Sequence, residues 1–182
     1  MVDISIIIVS YNAFELLRNC IKSILANTRD LNLEIFVHGA LCYGVSGRCY
    51  WSSYLGGKSG LRGRCVQPCR REYEVYDSAT DKSFLIGDDY VLSPKDLCTI
   101  DFIDKLIEAG IDSFKIEGRK RSPEYVAKAV SVYRKAIDLY YQQKLTKEKK
   151  KELLKELLVE ETIQKKLDTI DDIGITYFIY YE

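Results

Sequence analysis

Between Ile35 and Arg71 the chain has no aspartate or glutamate, although it carries 27 acids in all, matched by 27 lysines and arginines. The whole-chain charge therefore argues neither for nor against a nucleic-acid or membrane partner, and only the local distribution is informative. Within that acid-free stretch Arg48, Lys58, Arg62, Arg64, Arg70 and Arg71 make six cations in 37 residues, a basic segment inside a neutral protein. A long apolar run is also lacking. The run from Ile4 to Val9 is short, follows Asp3 and has no cationic leader, so neither a signal peptide nor a membrane span fits and a cytoplasmic protein is expected. No internal repeat or low-complexity linker is present, and 182 residues suffice for one domain that buries roughly 70% of its unfolded surface.

Ile4 to Val9 reads as a strand buried on both faces, ended by Ser10-Tyr11-Asn12. Leu16, Leu17, Cys20, Ile21, Ile24 and Leu25 recur at three and four residues, which predicts a helix between Phe14 and Asn27 with Cys20 in its apolar stripe. Leu33 to Val37 is a second strand, giving a βαβ unit with parallel strands. From His38 to Tyr73 glycines break every period and predict an irregular insertion. Tyr73–Tyr76 and Ser83–Ile86 form an expected hairpin, followed by a short strand at Tyr90–Leu92. Ile100, Ile103, Leu106 and Ile107 line a helix stopped by Gly110, and Ser113–Ile116 is the next strand. Ser122-Pro123-Glu124 has the cap, first-turn proline and dipole-matched acid of a helix start, continued by Val126, Ala129, Val130, Tyr133, Ile137 and Tyr140. Residues 147–166 predict a Lys/Glu-rich helix with Leu153, Leu154, Leu157 and Leu158 on one side and a solvated charged face. Ile175–Tyr181 reads as a terminal strand. The pattern is α/β, an open parallel sheet or partial barrel with a Cys/Gly-rich insertion.

Five of the six cysteines, Cys42, Cys49, Cys65, Cys69 and Cys98, fall at spacings of 7, 16, 4 and 29. In a reducing compartment these are thiols rather than disulfides. A flexible loop and a strand end can bring thiolates together from different directions, as an iron–sulfur cluster requires, and neighbouring cations help to hold thiolates deprotonated. Structural zinc competes, since Cys65-x-x-x-Cys69 is an acceptable half-site, and scattered buried thiols are the plain alternative.

The stretch EIFVHGALCYGVSGRCYWS closely resembles the motif of the collagenase-like peptidase family, many of whose members look like tRNA and rRNA hydroxylation proteins or iron–sulfur proteins of oxygen-independent quinone synthesis. Glu34, Phe36, Gly39, Ala40, Leu41, Cys42, Gly47, Cys49 and Ser52 fall where that motif wants them, whereas Trp51 stands where an aliphatic residue is usual. The resemblance continues through RGRCVQPCR, LSPKDLC and DSFKIEGRKRSPEYVA, over residues 33–143 with the insertion at 38–73, leaving 144–182 as a helical and strand tail. It implies a half-barrel fold and a 4Fe-4S cluster held by Cys42, Cys49, Cys65 and Cys98, with Cys69 as the substitute ligand. Residues 1–37 resemble the opening βαβ unit of a family two glycosyltransferase, although no DxD-like metal motif follows.

The reading expected from all this is an iron–sulfur-binding protein of the RNA hydroxylation type. Arg62, Arg64, Arg70 and Arg71 would meet phosphates, and Tyr43, Tyr50, Trp51 and Tyr54 would offer flat rings to single-stranded bases. Lys95, Glu117 and Arg119, at strand ends, would shape a pocket for a small co-substrate unless Glu117 or Asp96 merely pairs with Arg119. His38 with a cysteine is the catalytic pair that a collagenase-like peptidase would need, without an identifiable third residue. A nucleotide-sugar glycosyltransferase, or an inactive fragment holding zinc or nothing, competes with both of these. A partner subunit is compatible with each.

Overall fold

The computed structural model describes residues 14–27, 32–45, 48–86, 92–119, 121–167 and 175–180. The expected strand at 4–9 and residues 90 and 91 of the expected strand at 90–92 lie outside the described residues. Two compact units divide the chain: residues 1–39 together with 98–182, and residues 40–97.

The first unit is built on a four-stranded sheet in the order β4 (Leu97–Cys98), β1 (Glu34–Gly39), β5 (Ser113–Gly118), β6 (Ile175–Tyr180). β1 and β5 pair in parallel, with Glu34 opposite Ser113 and Ile35 opposite Phe114. The carboxylate of Asp112 fixes this start by accepting the Leu33 N–H at 2.7 Å. The register shifts between Phe36 and His38, a bulge-like irregularity that leaves the consecutive residues Val37 and His38 both buried. The sheet is mixed rather than wholly parallel, because β6 runs antiparallel to β5. The reason is topological. Two helices, α4 (Pro123–Tyr141) and α5 (Lys147–Leu167), separate β5 from β6, and an even number of traverses returns the chain in the opposite direction. Pairing among the described strands is open, with no closed barrel.

Ile35, Val37, Phe114 and Ile116 form the sheet side of the core. Ile103, Leu106 and Ile107 from α3 (Ile103–Glu108) join Val132, Tyr133, Ala136 and Ile137 from α4 on the helical side. α4 begins as its sequence requires: the Ser122 hydroxyl accepts the Tyr125 N–H at 3.2 Å, with Pro123 in the first turn. Gly110 has φ +79°, the left-handed cap expected after α3. α1 (Phe14–Asn27) has the predicted span, but Cys20 is exposed. Ile21 is the buried residue and Ile24 packs partly behind it, so one step of about 100° turns Cys20 away from the core. α5 buries Leu153 and Leu157 but leaves Leu158 exposed. One of its charges is not solvated, since buried Lys150 donates to Asp104 Oδ2 at 2.6 Å and to the Asp101 carbonyl at 3.1 Å.

The second unit is less regular, as its glycines predict, yet it contains α2 (Trp51–Gly56) and two 3-10 turns, Gly60–Arg62 and Pro68–Arg70. The hairpin is present as β2 (Tyr73–Asp77) and β3 (Lys82–Ile86), with Tyr73 opposite Ile86. Ser52 organises the loops: its buried hydroxyl donates to the Lys58 carbonyl at 2.5 Å and accepts the Val66 N–H at 2.9 Å. A Cβ at Gly56 would lie 2.8 Å from Val66 Cγ2, which explains a glycine there.

Gly39 is the position where backbone geometry is most demanding. Its φ is +119°, and a Cβ would lie 2.7 Å from the Glu117 carbonyl oxygen. Gly39→Ala is expected to cost about 3 kcal/mol of stability, from a strained φ together with a backbone clash. Urea denaturation followed by helical circular dichroism checks this, and a loss under about 0.5 kcal/mol would refute the strain account.

Candidate functional site

None of the six cysteines is in a disulfide. In the second unit Cys42 and Cys49 are exposed, and Cys65 and Cys69 are half-buried. The turn at Cys65-Val66-Gln67-Pro68 carries a feature that spacing cannot reveal. Gln67 adopts a left-handed conformation, φ +50° and ψ +50°, and its N–H points at Cys65 Sγ, 3.3 Å away. A backbone N–H aimed at sulfur tunes any metal that the sulfur holds. Burial pushes the Cys69 thiol up, and the Arg70 guanidinium beside it only partly offsets this; the thiols of Cys65 and Cys42 add to the rise. Cys69 therefore feels both other sulfurs. It also shows that for this residue burial outweighs the neighbouring cation, contrary to the expectation that nearby arginines hold the thiolates deprotonated. Among the described residues, no three His, Cys, Asp or Glu side chains form a ready-made metal shell.

The basic residues divide into two kinds. Arg48, Arg62, Arg64 and Arg71 are exposed. Arg70 is not, because its guanidinium is paired with Asp96 and also reaches the Pro94 carbonyl at 3.5 Å. Both side chains of the pair are only 12–13% exposed, so its role is to hold the LSPKDLC segment against the second cysteine turn within this unit. Asp96 thus pairs with Arg70. Tyr43, Tyr50 and Tyr54 are about four-fifths exposed or more, at 79%, 80% and 88%. Tyr50 and Tyr54 stand one helical turn apart, joined by the Tyr54 N–H to Tyr50 carbonyl bond of 2.8 Å. Trp51 instead stacks on Tyr73 at 5.7 Å and 24° and belongs to the packing of the loop.

In the first unit, the ends of β1 and β5 carry a separate polar group. His38 is fully buried, with its Nε2 hydrogen-bonded to the Tyr125 hydroxyl at 2.9 Å and its ring stacked on the same tyrosine. The Arg121 guanidinium lies 5.1 Å from the Tyr125 ring centroid. The Tyr133 hydroxyl donates to the Val37 carbonyl at 2.8 Å, accepts the Thr99 N–H at 3.0 Å and lies 3.9 Å from Cys98 Sγ. Burial, then the nearby Cys98, pushes this phenol well above its ordinary value, so it is a neutral donor at any physiological pH. Glu117 accepts the Arg119 N–H at 2.9 Å, and Arg119 is exposed. Lys95 is exposed, in the second unit. Periodicity marks Tyr133 as a helix-stripe residue and leaves Tyr125 unmarked; nothing in the sequence alone announces their hydroxyl partners.

A family model described as peptidase family U32 matches residues 11–173. An uncharacterized protease of Methanocaldococcus jannaschii is 48% identical over 130 residues, covering 68% of this chain and 32% of that protein. A collagenase of Porphyromonas gingivalis is 48% identical over 110 residues, 60% of this chain and 27% of its own length. The tRNA hydroxylation protein P1 of Bacillus subtilis is 47% identical over 115 residues, 61% and 27% respectively. The chain thus spans about a third or less of the length of the curated relatives it matches. No solved structure matches it. The family match runs through α1 and β1, and nothing found supports the glycosyltransferase resemblance of residues 1–37. No described helix is long and apolar enough to cross a membrane.

The thiol environments predict an order of modification. At pH 7.5 iodoacetamide should alkylate exposed Cys42 and Cys49 before Cys69, whose rate should still be rising as the pH passes the ordinary thiol value of 9.0. Peptide mass spectrometry over a pH series reads this, and a Cys69 that keeps pace with Cys49 at pH 7.5 would mean that Arg70, not burial, governs it.

Proposed function

The chain belongs to peptidase family U32, and from that footing we propose that it is the cysteine-bearing part of an iron–sulfur protein that acts in hydroxylation of tRNA or rRNA. The observation that carries the reading is that the Cys69 thiol feels those of Cys65 and Cys42, within a stretch of sequence that has no acidic residue. Sulfurs that approach one another as thiolates repel unless a cationic centre is added, and arginine-rich surroundings suit the net negative charge of a thiolate-bound cluster. The donor set fits such a centre in chemistry: soft sulfur, no disulfide, and a backbone N–H already directed at Cys65 Sγ. Cys42, Cys49, Cys65 and Cys98 would hold it, with Cys69 as the substitute. When bound, such a cluster supplies one-electron redox chemistry or a Lewis-acidic iron site.

The residues around it would do the rest. Exposed Tyr50 and Tyr54 offer two rings to unpaired bases, and Arg62, Arg64 and Arg71 neutralise phosphates. Arg70, which the sequence pattern groups with these, holds Asp96 instead and keeps the cysteine turn in place. Glu117, Arg119 and Lys95 remain the groups proposed to meet a small co-substrate. The relative named for tRNA hydroxylation favours this reading. The relatives named as collagenases raise the peptidase alternative; His38, its histidine candidate, is fully buried and bound to Tyr125, so it is not presented to a peptide substrate.

Anaerobic purification with iron, sulfide and zinc analysis tests the proposal. Iron and sulfide should copurify, and both should fall several-fold in Cys65→Ser and Cys98→Ser, while Cys20→Ser, on an exposed helix face, keeps them. Stoichiometric zinc with no sulfide would replace the cluster by a structural site, and metal content indifferent to Cys65 would end both.

A further inference from the structure

At the end of the first unit that holds the start of β5, a cavity of about 560 Å³ opens between α3, the end of α4 and the loop that leads to α5. Its walls are Asp104, Glu108, Tyr140, Tyr141, Gln143 and Leu145. Chain direction sets it apart from the chemistry above: α3 ends just before β5 begins, and α4 starts after β5 ends and runs back, so the cavity lies at the opposite end of β5 from Glu117. None of its residues takes part in the proposed cluster or in the proposed RNA contacts.

Three independent features give this cavity one electrostatic character. Asp104 and Glu108 stand four residues apart on α3 and therefore on one face, where like charges repel unless something positive lies between or beside them. Lys150 meets that need for Asp104 alone, through Oδ2 at 2.6 Å; the second oxygen, Oδ1, is fully enclosed and accepts no hydrogen bond among the described residues. Among the described residues no ion pair reaches Glu108. The second feature is aromatic. The Tyr140 and Tyr141 rings meet edge to face, 5.4 Å apart at 82°, so they form two walls of a corner against which a cation can rest. Third, α4 runs for 19 residues and has no basic residue in its last turn, so the negative end of its dipole is not offset within the helix. The same field is felt by Tyr140, whose phenol is pushed up by burial and then by Glu108, Tyr141 and Asp104.

From this arrangement we propose that the cavity binds an alkylammonium ligand of the diamine or polyamine class. The acceptors choose among cations. Carboxylate oxygens of Glu108 and the amide oxygen of Gln143 can each take an N–H, which a primary ammonium supplies and a quaternary one does not. Leu145 and the tyrosine rings suit the short aliphatic chain between two amino groups, and the volume exceeds what a single metal ion or water would need. Lys150 holds Asp104 in place as part of the wall, so Glu108 is the residue on which affinity turns.

Isothermal titration of the full chain with putrescine tests this, with sodium chloride added to equal ionic strength and tetramethylammonium chloride as the second probe. Saturable one-to-one binding of putrescine is expected, at least about tenfold tighter than tetramethylammonium. Glu108→Gln should weaken it about fivefold or more and Tyr141→Leu about threefold. Both residues are exposed, so neither change threatens folding. Glu152→Gln, which alters an exposed acid of α5 outside the cavity, should leave the affinity unchanged. The assignment is overturned by any of four results: no binding at millimolar putrescine, equal affinity for tetramethylammonium, indifference to Glu108→Gln, or an equal loss in Glu152→Gln, which would mean diffuse surface charge.

Discussion

The Val37 carbonyl accepts two hydrogen bonds, from the Tyr133 hydroxyl at 2.8 Å and from the Thr99 N–H at 3.2 Å, and the Thr99 N–H also reaches the Tyr133 oxygen at 3.0 Å. Three segments far apart in sequence close a small triangle of polar atoms in the centre of an apolar core. Each of these groups would be costly to bury alone, on the order of 1–3 kcal/mol for an unsatisfied backbone group. Together they are satisfied, and the end of β1, the residue after Cys98 and the middle of α4 cannot move independently. The rest of the first unit follows from that pin. His38, immediately after Val37, is held inside against Tyr125, and Gly39 turns at a φ that a side chain would forbid because Glu117 is already there.

The second unit obeys a different balance. Among its described residues it contributes nothing to the buried apolar core, and its hairpin leaves Val75, Tyr76, Phe84 and Leu85 exposed. What orders it is a set of polar anchors at loop crossings: Ser52 between two backbones, Tyr73 donating to the Pro68 carbonyl at 2.8 Å, and Arg70 with Asp96. Such anchors fix loops without filling a core, and they leave the Cys65 and Cys69 thiols half-buried rather than enclosed. The cost of that burial shows at Cys69, whose thiol is held neutral in spite of the adjacent arginine. A centre that drew the proton off Cys69 would relieve that penalty, so the proposed cluster would couple its binding to the folding of this unit.

Opposite polarities mark the two ends of β5. Its carboxyl end presents Glu117 and Arg119 on an edge where α/β folds commonly hold ligands. Its amino end meets the negative pole of α4 and two carboxylates around an aromatic corner. That asymmetry comes from helix direction, since antiparallel return of α4 along the sheet puts its dipole end there.

Much of the fold is legible in the residues themselves. The helix at Phe14–Asn27, the 73–86 hairpin, the Ser122 cap and the left-handed Gly110 all follow from period, capping chemistry and glycine placement, which are local properties. Family motifs in order were equally readable, because they are strings. What sequence could not decide was rotation, partnership and direction. Cys20 shares a stripe with Ile21 yet turns outward, Arg70 reads as one of four phosphate-facing arginines yet pairs with Asp96, and β6 closes the sheet antiparallel to β5. Each outcome depends on what another segment, tens of residues away, brings within a few ångströms. Patterns along a chain fix which faces are apolar and where backbones turn; only packing in three dimensions decides which charge meets which, and whether burial or a neighbouring cation governs a thiol.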